Sequence, residues 1–230
     1  MKKLVILGAG TAGTMAANKL RKKLSKSEWS ITMVDLDNKH IYQPGLLLMP
    51  FGVYQPEELV KSRKRYIASG IELILAEIDL VDPEAKKVSL KNGSTLDYDY
   101  LIIASGTSPR PDQTPGMDGE LWNDKVFEFF TLEGATALRD KLRTWEGGKL
   151  VVHVTEMPIK CPVAPLEFCF LADAFFEKKG MRDKVEITYA TPLEGAFTKP
   201  VASAALGNML DERKINLEAD FMIESVDNED

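Results

Sequence analysis

The stretch that most limits the fold is Gly8-Ala9-Gly10-Thr11-Ala12-Gly13. It stands between an apolar run, Lys3 to Leu7, that reads as a buried strand, and residues 14 to 24, whose apolar positions fall at helical spacing. A further run, Ser30 to Asp37, reads as the next strand and carries Asp35 near its end. Strand, turn, helix and strand make one βαβ unit, and its two strands must lie parallel. Within the turn, Gly8 allows the sharp reversal, Gly10 lets the backbone come close to a pyrophosphate, and Gly13 lets the helix pack tightly on the strand. Asp35 would accept a hydrogen bond from a ribose hydroxyl. The glycine spacing alone is a weak signal. In this order, with the acid in register, it predicts a dinucleotide site.

Residues 38 to 57 are rich in proline and apolar residues without a clear period, and they read as a functional loop. His40, inside it, reads as a surface or turn histidine. A short helix is expected over residues 59 to 69. Beyond it come β-branched strands separated by the turn signals Asp82-Pro83-Glu84-Ala85-Lys86-Lys87 and Lys91-Asn92-Gly93-Ser94. This order predicts a parallel strand, an antiparallel excursion and a return to the sheet ending at Ala104-Ser105-Gly106. The proline-rich run at 107 to 119 places a domain boundary near residue 110. After it, helix 132 to 145, strand 148 to 154, helix 166 to 180, strand 184 to 190 and helix 199 to 213 form a second α/β set. Residues 215 to 230 read as a strand entering a turn with no partner strand after it.

Composition removes several classes of function. A formal net charge of −6 supplies no positive field for a nucleic-acid backbone. No stretch approaches the roughly 20 apolar residues of a membrane span, and the N-terminus carries no signal-peptide pattern, so a cytoplasmic location is expected. Two cysteines without an export signal point to thiol chemistry or packing, not a disulfide framework. His40 and His153 are too far apart in sequence to suggest a zinc site.

In the second α/β set the strand-to-helix junction reads Met157-Pro158-Ile159-Lys160-Cys161-Pro162-Val163-Ala164-Pro165-Leu166-Glu167, with no glycine. Proline has no N–H, so Pro162 and Pro165 each remove a donor where a pyrophosphate would need one. Pro165 suits the first turn of a helix, which would put Cys161 just before the positive end of its dipole, beside Lys160. That setting favours a thiolate, the reactive form. From the residues alone, a small buried hydrophobe is an equal reading for Cys161. Cys169, between Phe168 and Phe170, reads as core, as do Phe168, Phe170, Phe175 and Phe176. Helical rise puts Cys169 too far from Cys161 for an undistorted disulfide. Lys160 and Lys199 read as solvated, with tuning of the site as the alternative. Glu167 reads as a first-turn acid or as the mark of an inherited helix start.

Three stretches, residues 8 to 13, 41 to 47 and 156 to 165, together resemble the flavoproteins built on two dinucleotide-binding domains. Within that superfamily the nearer likeness is to sulfide:quinone oxidoreductases and the flavin subunit of flavocytochrome c sulfide dehydrogenase. The resemblance implies an α/β fold of two Rossmann-like, glutathione-reductase-type domains, incomplete at the C-terminus. Residues 1–110 would form the FAD domain, and 111–230 a second domain with a degenerate nucleotide site. It implies FAD contacts at Gly8, Gly10, Thr11, Ala12, Gly13, Asp35, Pro44, Ile78, Ala104, Ser105 and Gly106, with serine standing for the threonine usual before that last glycine. Cys161 becomes the reactive cysteine, working with a partner cysteine beyond these residues. The implied substrates are sulfide and a quinone. A further C-terminal part would meet the quinone and the inner face of the membrane, and a homo-oligomer is compatible with the family. Two other readings stay open: an NADH-dependent flavin or quinone reductase, and a truncated nucleotide-binding module without catalysis.

Overall fold

The computed structural model describes residues 1–227, so the last three, Asn228 to Asp230, lie outside the described residues. In chain order the elements are β1 (Lys2–Leu7), α1 (Thr11–Lys23), β2 (Trp29–Asp35), β3 (Lys39–Ile41), α2 (Pro44–Leu48), α3 (Pro56–Leu59), β4 (Val60–Ser62), β5 (Glu72–Leu75), β6 (Ile78–Asp82), β7 (Lys87–Leu90), β8 (Thr95–Asp97), β9 (Tyr100–Ile103), α4 (Leu132–Thr144), β10 (Gly148–His153), α5 (Ala164–Lys178), β11 (Val185–Ala190), α6 (Pro200–Glu212) and β12 (Ile215–Glu218). The chain divides into two compact units, Met1–Tyr42 with Glu57–Thr107, and Gln43–Pro56 with Ser108–Asp230.

The first unit is built on a parallel sheet in the order β5-β2-β1-β9. Its central strand is apolar on both faces. Leu4 and Ile6 pack with Ala17, Ile31 and Met33 on one side, while Val5 and Leu7 pack with Val34, Val88 and Leu90 on the other. Removing such side chains from water is worth roughly 2 kcal/mol each, which is why a strand covered on both faces loses its alternating pattern. The expected excursion is a three-stranded antiparallel sheet, β6-β7-β8. Its two reversals put Lys86 (φ 52°) and Gly93 (φ 85°) in the left-handed region, as the turn signals required.

Residues 59 to 69 are not a helix. Val60–Ser62 pairs antiparallel with Lys39–Ile41, and Arg63–Tyr66 is a single 3₁₀ turn. The run of basic residues mimics a solvated helix face, but pairing with β3 decides the local form. Residues 38 to 57 also hold more structure than a loop: β3, α2, a 3₁₀ turn over Met49–Phe51 and the start of α3. Part of this segment, Gln43–Pro56, belongs to the second unit, so the packing divides the chain differently from a single cut near residue 110. The physical reason is aromatic and aliphatic contact, since Leu47 and Phe51 pack on the second unit's core and the Phe51 ring meets that of Phe168 at a tilt of 51°, centroids 4.9 Å apart.

The second unit carries a parallel sheet in the order β10-β11-β12. Helix α5 lies on it through Leu166, Phe168, Cys169, Ala172 and Phe176, all nearly inaccessible. Phe170 and Phe175 pack at the margin of the same cluster. The buried carboxylate of Asp173 is matched by Arg182 and Arg213, so its charge does not stand alone in the core. Helix α4 begins at Thr131, whose hydroxyl caps Gly134 N–H at 3.0 Å. Among the described residues no helix is long and apolar enough to cross a membrane.

Candidate functional site

In the first unit's four-stranded sheet all strands are parallel, so their C-terminal ends share one edge of the sheet. That edge gathers Gly8–Gly10 after β1, Asp35 at the end of β2, residues 76 to 78 after β5, and Ala104–Gly106 after β9. The chain leaves β1 toward β2 through α1, and β9 lies on the other flank of β1. The crevice above β1 is thus a point where the strand order reverses, the place where open α/β sheets receive ligands.

The glycines divide by what constrains them. Gly8 has φ +97°, and a Cβ there would stand 2.2 Å from the carbonyl oxygen of Ala104. A Cβ on Gly13 would stand 1.9 Å from the carbonyl oxygen of Gly8. Both are glycine because the fold leaves no room. Around Gly10 the position of a Cβ is open, with nothing among the described residues within 4 Å apart from its chain neighbours and its own helix. No protein contact requires glycine at this position, and a ligand approaching the backbone would. Gly10 also caps α1 without a side-chain bond. The first helical bond runs from Thr14 N–H to Gly10 at 3.0 Å, so the N–H groups of Thr11, Ala12 and Gly13 have no partner within the helix. Thr11 and Ala12 are exposed.

Asp35 is largely covered, with its side chain 14% exposed, and it is more heavily engaged than the sequence reading foresaw. Its Oδ2 accepts Ala9 N–H at 2.6 Å, and its Oδ1 accepts Leu36 N–H at 2.8 Å and lies 2.9 Å from Nη2 of Arg63. Arg63 is the residue that sequence reasoning missed. It sits among Lys61, Lys64 and Arg65, where one basic side chain turned inward cannot be told from its solvated neighbours. The remaining predicted contacts are placed as follows. Ile78 opens β6 opposite Leu90, and Ala104 donates its N–H to Leu7 at 2.7 Å. Ser105 and Gly106 are exposed, the latter at φ +79°. Pro44 is the first residue of α2 and belongs to the second unit. His40, expected at the surface, is half-buried, with its Nδ1 enclosed without a partner and its ring 4.9 Å from that of Tyr66.

In the second unit the junction from β10 to α5 runs through residues 154 to 163 and is built differently. Val163 caps α5 without a side-chain bond. The N–H of Ala164 is taken by the carbonyl of Cys161 at 3.2 Å, Pro165 has none, and Glu167 N–H is bonded to Val163 at 3.0 Å. The Glu167 bond is the first regular bond of α5, the counterpart of Thr14 to Gly10 in α1, so of the three positions before it only Leu166 keeps an N–H for a phosphate. Met157 and Ile159 pack against the core, anchoring the loop on either side of Pro158. Cys161 is partly exposed just ahead of the helix, and Lys160 puts its ammonium 6.0 Å from the ring centroid of Phe130. Glu167 and Lys199 are exposed.

The two cysteines are both free thiols in opposite surroundings. Burial pushes the Cys169 thiol up to about 12, which keeps it protonated and inert. His153 closes β10 with its Nε2 enclosed and without a partner, and its ring meets Phe221 edge-on at 5.2 Å. Burial holds this imidazole below the ordinary histidine range. Among the described strands, β10 is paired on one side only.

Comparison with known proteins places this architecture. The chain is 27% identical over 215 residues to the mitochondrial sulfide:quinone oxidoreductase of Dictyostelium discoideum, covering 93% of this chain and 47% of that protein. It is 31% identical over 153 residues to the type II NADH:quinone oxidoreductase of Staphylococcus haemolyticus (strain JCSC1435), covering 64% of this chain and 37% of that protein. In structure it is similar to the sulfide:quinone oxidoreductase from the hyperthermophilic bacterium Aquifex aeolicus, with a TM-score of 0.85 at 20% identity over 99% of this chain and 53% of that one. The chain therefore spans about half the length of these sulfide:quinone relatives. Residues 2–153 match the family described as pyridine nucleotide-disulphide oxidoreductase. That match covers well over half of the sequence and joins the glycine turn to the strand before the cysteine loop: the chain belongs to the pyridine nucleotide-disulphide oxidoreductase family.

Proposed function

We propose that this chain is the FAD-binding and thiol-bearing part of a sulfide:quinone oxidoreductase-like enzyme, passing two electrons from sulfide through Cys161 to the flavin and on to a quinone. The observation that carries this reading is the contrast between the two strand-to-helix turns. One leaves three N–H groups at a helix start with an open Gly10 beside them; the other leaves one, that of Leu166, and presents a partly exposed cysteine.

The residues of the first unit suit FAD. The N–H groups of Thr11, Ala12 and Gly13 would face the pyrophosphate, and the end of the α1 dipole favours its charge. Gly8 and Gly13 keep that turn closed, while Asp35 would take the adenosine ribose. Ile78 would meet the adenine through its backbone, and Ala104, Ser105 and Gly106 would line the same edge. Pro44, in the segment resembling the sulfide enzymes, is assigned with them. Bound FAD supplies a two-electron acceptor. Cys161 would take up sulfide sulfur as sulfide breaks a disulfide between it and a second cysteine, leaving a persulfide and a thiolate; once the sulfane sulfur passes to a thiol or sulfide acceptor, the two thiolates would re-form the disulfide and give the electron pair to FAD, and Cys169, sealed in the core, is not that second cysteine. The quinone, a peripheral membrane contact, a location on the cytoplasmic side and self-association belong to the whole protein and are part of the same proposal.

A second reading, NADH-linked quinone reduction, draws support from the Staphylococcus haemolyticus relative. Against it stands the second turn, where no glycine admits a pyrophosphate and Pro162 and Pro165 offer no N–H. Anaerobic sulfide added to the flavin-loaded protein separates the two. Bleaching of the flavin absorbance, lost in Cys161→Ser, supports the sulfide reading; bleaching by NADH with no response to sulfide overturns it.

A further inference from the structure

Ala9 is the middle of the glycine turn and is fully buried. Both of its backbone groups are engaged by one ion pair, the carbonyl being shared with the Thr14 hydroxyl, which donates to it at 3.0 Å. Its N–H donates to Asp35 Oδ2 at 2.6 Å, and its carbonyl accepts from Arg63 Nη1 at 2.9 Å. Arg63 and Asp35 meet at 2.9 Å with side chains 13% and 14% exposed. The guanidinium is fixed from the other side by Asp37, whose carbonyl accepts from Nε at 2.8 Å and whose carboxylate lies 3.5 Å from Nη2. A planar fork with donors in fixed directions is what such an arrangement needs; a lysine offers one point charge.

The acceptor inventory of Asp35 sharpens the point. An ionised carboxylate offers about four lone-pair sites. Leu36 N–H bonds Oδ1, the Arg63 guanidinium stands against that same oxygen as an ion pair, and Ala9 N–H occupies one site on Oδ2. About one acceptor position remains, on Oδ2.

We propose that Arg63 is the positioning residue of the dinucleotide site: it holds Asp35 Oδ1 in an ion pair, helps pin the Ala9 peptide, and leaves Asp35 Oδ2 aimed as the acceptor for a hydroxyl of the adenosine ribose. The inference rests on the reading of the first unit as an FAD site. It assigns discrimination for the ribose diol to a pair, with Asp35 making the contact and Arg63 setting its direction. Since the turn after β4 carries Arg63, the antiparallel β3–β4 pair becomes part of the cofactor site even though it pairs with no strand of the parallel sheet.

The test is calorimetric titration of the chain with FAD and with an FAD analogue lacking the 2′ and 3′ hydroxyls of the adenosine ribose. The wild-type chain should prefer FAD by about tenfold or more, the value of a hydrogen bond to a charged group. Arg63→Met and Asp35→Asn should each erase that preference, and the double variant should lose no more than either alone. Arg63→Lys, which keeps the charge without the fork, should retain only part of it. Should Arg63→Met fail to fold by circular dichroism, the Arg63→Lys titration decides. An Arg63 variant that keeps the full preference, or that loses FAD and the analogue in equal measure, overturns the inference. A folded wild-type chain that binds neither ligand overturns the FAD reading beneath it.

Discussion

The turn from β1 to α1 and the turn from β10 to α5 solve the same topological problem with opposite chemistry. Each leaves the carboxyl end of a parallel strand and enters a helix. The first does so in residues 8 to 10, held so closely that Cβ atoms at Gly8 and Gly13 would strike backbone oxygens at 2.2 and 1.9 Å. The second runs through residues 154 to 163 with prolines at 158 and 162 and a cysteine between them. A short glycine turn leaves three helix N–H groups unspent and room for a pyrophosphate; a long proline-bearing turn leaves one, at Leu166, and offers a side chain instead. One scaffold thus yields a cradle or a reactive group, depending on whether the turn is lined by backbone or by side chains.

The comparison breaks most readily at the glycines. Gly13→Ala should destabilise the first unit by about 3 kcal/mol or more, because the clash is with backbone that cannot step aside. Gly10→Ala, with open space and φ −72°, should change stability by less than about 0.5 kcal/mol while weakening FAD binding. Urea unfolding of the two variants, each paired with an FAD titration, checks both halves. Equal loss of stability in the two would remove the distinction between glycines held by the fold and the glycine open to a ligand.

The cysteines provide the next test. Cys169→Ser buries a hydroxyl among Phe168, Phe176 and Tyr189 and should cost about 2 kcal/mol. Cys161→Ser should leave stability nearly unchanged and remove the sulfide response. In the folded wild-type protein, iodoacetamide should label Cys161 and spare Cys169, whose thiol burial holds near 12, until the chain unfolds. Peptide mapping of the labelled protein reads this directly; labelling of Cys169 at the rate of Cys161 would contradict the burial argument.

A smaller effect belongs to the strand that feeds the second turn. His153 is held below its ordinary range by burial, so the unfolded chain binds a proton more readily than the folded one. Its contribution to stability is therefore complete above the unfolded value, near 6.5, and is lost as pH falls from there through the folded value. Melting temperatures across this range should fall more in the wild type than in His153→Phe. Strand β1 ends in Leu7 at the corresponding place and carries no such dependence.

Much of this was legible before any coordinates because it depends on local chemistry. The glycine order, the apolar strands, the positive-φ turns at Lys86 and Gly93, and Pro165 near the start of α5 are properties of a few adjacent residues. Two features were not legible. The placement of Gln43–Pro56 with the second unit rests on Leu47 and Phe51 finding a core built from Leu138 onward, far later in the chain, which no local pattern encodes. The role of Arg63 depends on a strand pairing, β3 with β4, that overrides an apparent helical run and turns one of several basic residues inward. Asp35 was identified by its position in the βαβ unit, but its partner was concealed for that reason.

The most direct measurement is equilibrium titration of the chain with FAD and, separately, with NADH. The account predicts saturable FAD binding that is weakened by Gly10→Val and indifferent to Pro162→Ala, together with no NADH binding under the same conditions. Saturable NADH binding that responds to substitution at Pro162 or Leu166 would place a second dinucleotide on the cysteine turn and contradict it.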